Sequence, residues 1–348
     1  MVRRHAHYSP LLPYAYGEPL VTGVIRRQPQ DFLVEELLGF EPHGEGEHVY
    51  LFIEKIALNT AQVAERLARL AGVAVRQVSY AGMKDRHAVT RQWFSVHLPG
   101  TQQPDWRSLN SADLSVLQQS RHLRKLRRGS HRGNQFVIVA GDLAGALDTL
   151  PDKLQRIADC GVPNYFGEQR FGRDGMNLHQ ALRWFAGEFT PRRRQRGLYL
   201  SAARSYLFNQ VLAQRVAEGN WQQLLAGELL MLNGSASLFA QGDADNLQPR
   251  LEAGDIHLTG PLYGKPTAMA SGDRVAALEQ AVLARFPELL TGLQQAGLTA
   301  ERRALRTIPA NLQWRVDNKR AELAFSLPRG CFATAVMREL LRYEVAAR

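Results

Sequence analysis

The chain is poor in cysteine: its 348 residues include only Cys160 and Cys331, and neither has a second cysteine or a histidine at metal-ligand spacing. A disulfide framework and a structural zinc site are therefore not expected. No stretch reaches the roughly 18 consecutive apolar residues of a membrane-crossing helix. The opening "MVRRHAHYSPLLPYAYGEPL" is basic but lacks the apolar core and small-residue cleavage site of a secretory signal. A cytoplasmic protein is expected. The sequence also has no G-x-x-x-x-G-K-[ST], no H-E-x-x-H, no G-x-S-x-G and no strand followed by G-x-G-x-x-G. Phosphate-loop NTPases, zinc proteases, α/β-hydrolases and nucleotide-cofactor enzymes lose ground accordingly.

Acidic residues are in deficit. The 43 Lys and Arg exceed the 33 Asp and Glu, for a formal net charge of +10. Such a surface suits a polyanion, because each phosphate neutralised releases condensed counterions. With 45% hydrophobic residues the chain has enough apolar material for two folded domains.

Up to about residue 155 the pattern alternates strands and helices. "HVYLFIEKI" (48–56) alternates with period two, and "NTAQVAERLARLAG" (59–72) puts Val63, Leu67 and Leu70 on one helical face between an Asn59 or Thr60 cap and Gly72. "QVSYAG", "QWFSVHL" and "NQFVIVAG" are further predicted strands. Beyond that point helices dominate, notably "SAARSYLFNQVLAQRVAEG" with an apolar stripe of Leu207, Phe208, Val211 and Leu212 that Gly219 ends. Residues 233–273 are predicted to form loops and short strands. "AELAFSLPRG" and "TAVMRELLRYEV" return to strand and helix, so the tail is expected to rejoin the first domain's sheet and make the middle of the chain an insertion.

Two segments stand out chemically. "RHLRKLRRGSHRGNQF" (121–136) carries six Arg or Lys before Asn134 and Phe136. By charge alone it is a solvated helix face. Running through Gly129 and Gly133 into an amide and a ring, it also has the composition of a phosphate-binding loop ending in a base platform, where Asn134 would read a base edge and Phe136 would stack on it. "PRRRQRG" (191–197) is expected to be a surface loop. The second segment, "AGMKDRHAVTRQWFSV" (81–96), sets Asp85 between Lys84 and Arg86 in a turn. From those residues alone Asp85 is a turn aspartate bonding its own backbone. A catalytic role would require nearby cations and an accessible carboxylate.

Taken in order, "AGMKDRHAVTRQ", "NYFGEQRFGRDG", "SAARSYLFNQ" and "LPRGCFATAVMREL" resemble the tRNA pseudouridine synthase D (TruD) family, over nearly the whole chain. The resemblance implies an α/β (α+β) fold. A catalytic domain of the pseudouridine synthase type, with a mixed, largely antiparallel sheet and helices, is expected over residues 1–155 and 309–348, and an inserted α/β TRUD domain over 156–308. It also implies a cofactor-free, metal-free isomerisation of uridine 13 of tRNA to pseudouridine, by attack on ribose C1′, a glycal, or addition to uracil C6, on a base taken out of its stack. Asp85 matches the family's catalytic aspartate, Phe136 the aromatic beside the target base and Asn134 the amide two residues before it. Arg26 stands where many relatives carry lysine; it keeps the charge and could pair bidentately with Asp85, a pairing the sequence leaves open. Lys84 joins Arg26, Asn134 and Phe136 as a candidate substrate-binding residue. Arg127, Arg128, Arg132, Arg170, Arg173, Arg192, Arg193 and Arg194 are the candidates for the tRNA backbone. Phe166 and Phe171 are expected in the core and His87 in a structural turn, while no role follows for Glu35 or Glu36. The expected partner is tRNA, without a membrane; a monomer is compatible with the sequence, which leaves the oligomeric state open. A noncatalytic RNA-binding protein or RNA chaperone on the same fold is the other reading.

Overall fold

The computed structural model describes residues 12–100, 103–242 and 246–346, so residues 1–11 of the N-terminal stretch lie outside the described residues. The chain divides into two compact units: a sheet unit of residues 19–158, 309–330 and 340–346, and a helical unit of residues 12–18, 159–308 and 331–339.

The sheet unit begins with β1 (Val21–Ile25), β2 (Phe32–Leu37) and β3 (His48–Ile56), then α1 (Thr60–Ala71), β4 (Val78–Tyr80), β5 (Val89–His97), β6 (Leu114–His122), the long β7 (Gly133–Gly145) and α2 (Leu150–Cys160), whose end passes into the helical unit. The helical unit adds β8 (Val162–Pro163), α3 (Met176–Phe185), α4 (Arg193–Ala217), β9 (Leu229–Leu232), β10 (Leu238–Ala240), α5 (Gln248–Glu252), β11 (Ile256–Leu262), α6 (Asp273–Leu283), α7 (Pro287–Gln295), β12 (Glu301–Ala304) and β13 (Arg306–Thr307). The chain returns through β14 (Ala310–Val316) and β15 (Arg320–Pro328), then α8 (Ala333–Leu340) and β16 (Arg342–Val345).

In the sheet unit the strands run β14-β15-β7-β2-β5-β3-β6, with β1 joined to β7 and β16 and with β4 on β5. Among the described residues only the β2–β5 and β1–β16 pairings of this sheet are parallel, so it is largely antiparallel, as expected. The returning tail supplies β15, which lies along β7 from Gly133 to Gly141, and β14 beyond it. The helix between β3 and β4 is placed by its own chemistry. The Asn59 N–H donates to Gln62 Oε1 at 2.9 Å, and Gly72, at φ 66°, adopts the left-handed turn that ends α1. Between those caps Val63, Ala64, Leu67 and Ala68 are buried with Val49, Leu51, Ile53, Phe94 and Val96 of the sheet. Each large aliphatic side chain so buried contributes about 2 kcal/mol.

The helical unit is built around α4, whose Leu207, Phe208, Val211 and Leu212 are fully or almost fully buried. Three findings depart from the sequence-based picture. Residues 193–197 are not a loop: Arg193 opens α4, preceded by Arg192 as an extended N-cap whose N–H donates to Gln195 Oε1 at 3.2 Å. Residues 123–132 are a loop between two strands rather than a helix face. Residues 12–18 and 331–339, counted with the first domain from sequence, cluster with the helical unit. Side chains of α8 hold that segment: Glu339 Oε2 accepts the Ala15 N–H at 2.9 Å, and Arg338 donates to Leu12 O at 2.6 Å. No helix among the described residues is long and apolar enough to cross a membrane.

Candidate active site

Asp85 lies in the loop from Ala81 to Ala88, between β4 and β5. A tip of this kind would normally be mobile, yet nearly every residue of it is tied. The Ala81 carbonyl accepts from Gly129 N–H at 2.7 Å, and the Gly82 carbonyl accepts from Gln92 Nε2 at 3.1 Å. Lys84 N–H donates to Thr60 Oγ1 at 3.0 Å, and Thr60 Oγ1 donates in turn to Gln92 Oε1 at 2.9 Å. Thr60 and Gln92 are both buried, so these bonds are made away from competing water. The loop is thereby a fixed platform.

The carboxylate it carries meets Arg26. Arg26 Nη2 donates to Asp85 Oδ2 at 2.8 Å, with the arginine side chain 9% exposed and the aspartate side chain 32% exposed. Asp85 Oδ1 takes no hydrogen bond among the described residues. Arg26 follows directly on β1 at φ 58°, a left-handed conformation that costs a non-glycine residue about 1 kcal/mol or more. Its guanidinium also lies 3.9 Å over the Phe32 ring, which fixes its plane from below.

Phe32 rests on Phe136. Their centroids are 6.3 Å apart, edge to face, and Phe325 flanks Phe136 on the other side at 5.6 Å. The register of β2, β7 and β15 puts Val34 and Phe325 opposite Phe136, and Phe136 is 7% exposed. Asn134 and Glu36 are a register pair two residues along the same face. Lys84 bridges them: its Nζ is 2.9 Å from Glu36 Oε2 and donates to Asn134 Oδ1. Glu36 is buried, and burial pushes its carboxyl above the usual range against the opposing pull of Lys84. Arg86 turns outward and donates to Ala57 O at 3.3 Å. Of the three cations considered from sequence, only Arg26 touches the Asp85 carboxylate.

Three participants escaped the sequence reading. Glu36 shares the core-facing parity of Phe32 and Val34 in β2, and Lys55 shares that of Val49, Leu51 and Ile53 in β3. A charged residue on the apolar phase of a strand was the signal that could have found both. Lys55 donates to Leu58 O at 2.7 Å and Asp85 O at 2.9 Å, and burial lowers it to about 8. His131 stands against Gly82, and burial with the neighbouring Lys84 and Arg329 charges lowers it to about 4. It is a neutral imidazole at physiological pH.

The arginines divide by environment. Arg127, Arg128 and Arg132 are exposed around the turn that leads into β7, with Arg128 5.8 Å over Tyr80. Arg192, Arg193 and Arg194 are exposed at the start of α4, and Arg173 has a side chain 96% exposed. Arg170 is different: it lies against Phe166 and Phe332, donates to Ser201 Oγ at 2.9 Å, and burial lowers its pKa. Phe166 and Phe171 are core residues.

The family profile for tRNA pseudouridine synthase D (TruD) matches residues 11–189 and 186–340. A tRNA pseudouridine synthase D from Methylococcus capsulatus is 49% identical over 96% of this chain and 95% of its own length. One from Pseudomonas putida is 49% identical over 94% of each chain, and one from Hydrogenovibrio crunogenus is 43% identical over 95% of this chain and 96% of its own length. A crystal structure from Methanosarcina mazei that carries the TruD name superimposes with a TM-score of 0.71 at 21% identity, covering 95% of this chain and 96% of that one, and supports the fold. With a profile and close relatives both spanning almost its full length, the chain belongs to the tRNA pseudouridine synthase D family.

Proposed function

We propose that this protein converts uridine 13 of tRNA to pseudouridine, with Asp85 as the nucleophile or base. The observation that carries the reading is the Asp85 carboxylate itself, held on a tied loop by Arg26 through one oxygen while the other is left open. The reaction breaks the bond from ribose C1′ to uracil N1 and forms one from C1′ to C5. C5 gives up its hydrogen as a proton and N1 gains one, so atoms and electrons balance without an oxidant, reductant or group donor. The protein must orient the carboxylate, hold the extruded base and bind the RNA backbone.

Arg26 supplies the orientation. Asn134 and Lys84, joined to Glu36, form the polar wall of the base pocket, and Phe136 acts chiefly from beneath, supporting Phe32. The backbone contacts are assigned to Arg127, Arg128, Arg132, Arg173 and Arg192 to Arg194. The last three face the positive end of the α4 macrodipole and have no ion pair among the described residues, an arrangement that a phosphate would relieve. Arg170, turned into its own unit, serves to hold Phe166 and Phe332. The protein acts in the cytoplasm, with neither metal nor cofactor. A noncatalytic RNA-binding role is not favoured by the family.

Two measurements test the reading. Unmodified tRNA treated with the purified protein should gain pseudouridine at position 13; unchanged uridine there refutes the assignment. Affinity should fall steeply with salt, and replacing Arg192, Arg193 and Arg194 with alanine should flatten the log–log slope by about 2 units. An unchanged slope removes that run from the interface.

A further inference from the structure

A lysine whose ammonium is hydrogen-bonded only to main-chain carbonyls among the described residues is buried beneath the candidate loop. Lys55 is 0% exposed, near the end of β3. Opposite it in register stand Thr90 of β5 and Leu114 of β6, neither of them charged. Its ammonium has two hydrogen-bond partners among the described residues, and both are main-chain carbonyls, Leu58 O at 2.7 Å and Asp85 O at 2.9 Å. The charged groups that act on it are Asp85 and Lys84, both from the loop. Arg26 and Glu36 stand one partner further out, one bound to Asp85 and the other to Lys84. Carbonyl dipoles satisfy the N–H groups but do not neutralise the charge, and a fold selected for stability alone would place an aliphatic side chain here.

We propose that Lys55 is a positioning residue for the reaction: its ammonium clamps the Asp85 carbonyl to the end of β3, so that the carboxylate is delivered to Arg26 with its second oxygen free. The inference rests on Asp85 being the reacting group. It explains why the cation points at this carbonyl and at Leu58, the first residue after the left-handed Ala57 at φ 55°: one ammonium joins the β3 end to the loop tip. On losing its proton the amine would forfeit charge-assisted bonding, and the loop would loosen.

The cost has a definite sign. Burial lowers the ammonium from 10.5 to about 8, so between those pH values the folded chain binds fewer protons than the unfolded one. The penalty is therefore fully present below pH 8 and is recovered as the pH rises towards 10.5. Removing the charge should leave the fold as stable as before, or more so, at neutral pH.

The test compares the full chain with Lys55→Met in single-turnover pseudouridine formation on unmodified tRNA from about pH 6.5 to 9.5, beside urea unfolding and RNA affinity. Lys55→Met should unfold at an equal or higher midpoint, bind RNA within about twofold of the parent, and react at least about tenfold more slowly at pH 7. The parent's rate should fall on an alkaline limb centred near 8 that is absent from Lys55→Met. Lys55→Arg, charged throughout the range, should lose the limb while keeping more activity than Lys55→Met. A Lys55→Met protein that reacts at the parental rate, or keeps the limb, overturns the inference, as does a rate loss matched by the loss of folded protein. Asp85→Asn, run alongside, separates the two readings: activity surviving in it refutes the assignment of Asp85, whereas parental activity in Lys55→Met refutes only the clamp.

Discussion

Each unit stacks an arginine on a phenylalanine, and the two pairs end differently. In the sheet unit Arg26 lies 3.9 Å over Phe32 and gives its guanidinium to Asp85, an acid with one open oxygen. In the helical unit Arg303 lies 4.0 Å over Phe166 and donates to Asn164 Oδ1 at 2.6 Å and to the Asn164 carbonyl. The second arginine meets an amide and a carbonyl, and burial lowers it to about 10. If Asp85 reacts as proposed, the same aromatic seat serves reactivity in one place and packing in the other. What distinguishes them is the group at the guanidinium's far end, an accessible carboxylate against a neutral amide.

The sharpest way to break this contrast is to remove the ring under each seat. Phe136→Ala, beneath Phe32, should cost about 3–5 kcal/mol of stability and also slow the reaction of the molecules that remain folded. Phe208, 5.5 Å from Phe166, is its counterpart, and Phe208→Ala should cost a similar amount with the rate per folded molecule unchanged. Urea unfolding paired with single-turnover rates checks both, and equal rate losses would erase the distinction.

A smaller effect is expected from the arginines themselves. Arg26→Ala should lower the rate about 10- to 100-fold, equivalent to about 1.4–2.7 kcal/mol, and Arg26→Lys should restore part of it, since lysine keeps the positive charge. Arg303→Ala should reduce stability without this kinetic defect. Smaller still is the acid response of His131. Its folded pKa is about 4 against an ordinary 6.5, so the folded chain binds fewer protons than the unfolded one between those values and stability falls as the pH drops through that window. His131→Gln should flatten the fall in unfolding midpoint over the same range; an unchanged profile would mean that the imidazole is not held neutral against the loop.

Much of the fold was legible because local patterns agreed with tertiary packing. The alternation in β3, the capped stripe of α1 and the apolar stripe of α4 each survive as buried faces. Charge density makes 191–197 read as a loop, yet the helix starts at Arg193, because an extended Arg192 bonded to Gln195 is enough to cap it. At the site, the sequence brought out Asp85, Arg26, Asn134 and Phe136 through the family motifs. It did not bring out how they are connected. Lys84 is next to Asp85 in sequence, yet its ammonium reaches Glu36 of β2, because residues adjacent in an irregular loop project in different directions. Arg170 and Arg173 are the same residue type three positions apart, but one is buried against two rings and the other is 96% exposed. Such pairings depend on register and burial, which only the folded chain supplies.

The central claim is that the open Asp85 carboxylate does the chemistry. Its most direct test is pseudouridine formation at position 13 under single-turnover conditions, with the parent and Asp85→Asn compared at saturating protein. Asp85→Asn keeps the side chain's size and the main-chain carbonyl that Lys55 holds, so RNA affinity and unfolding midpoint should change little while the rate falls by about 1000-fold or more. An Asp85→Asn protein that forms pseudouridine at the parental rate would contradict the account.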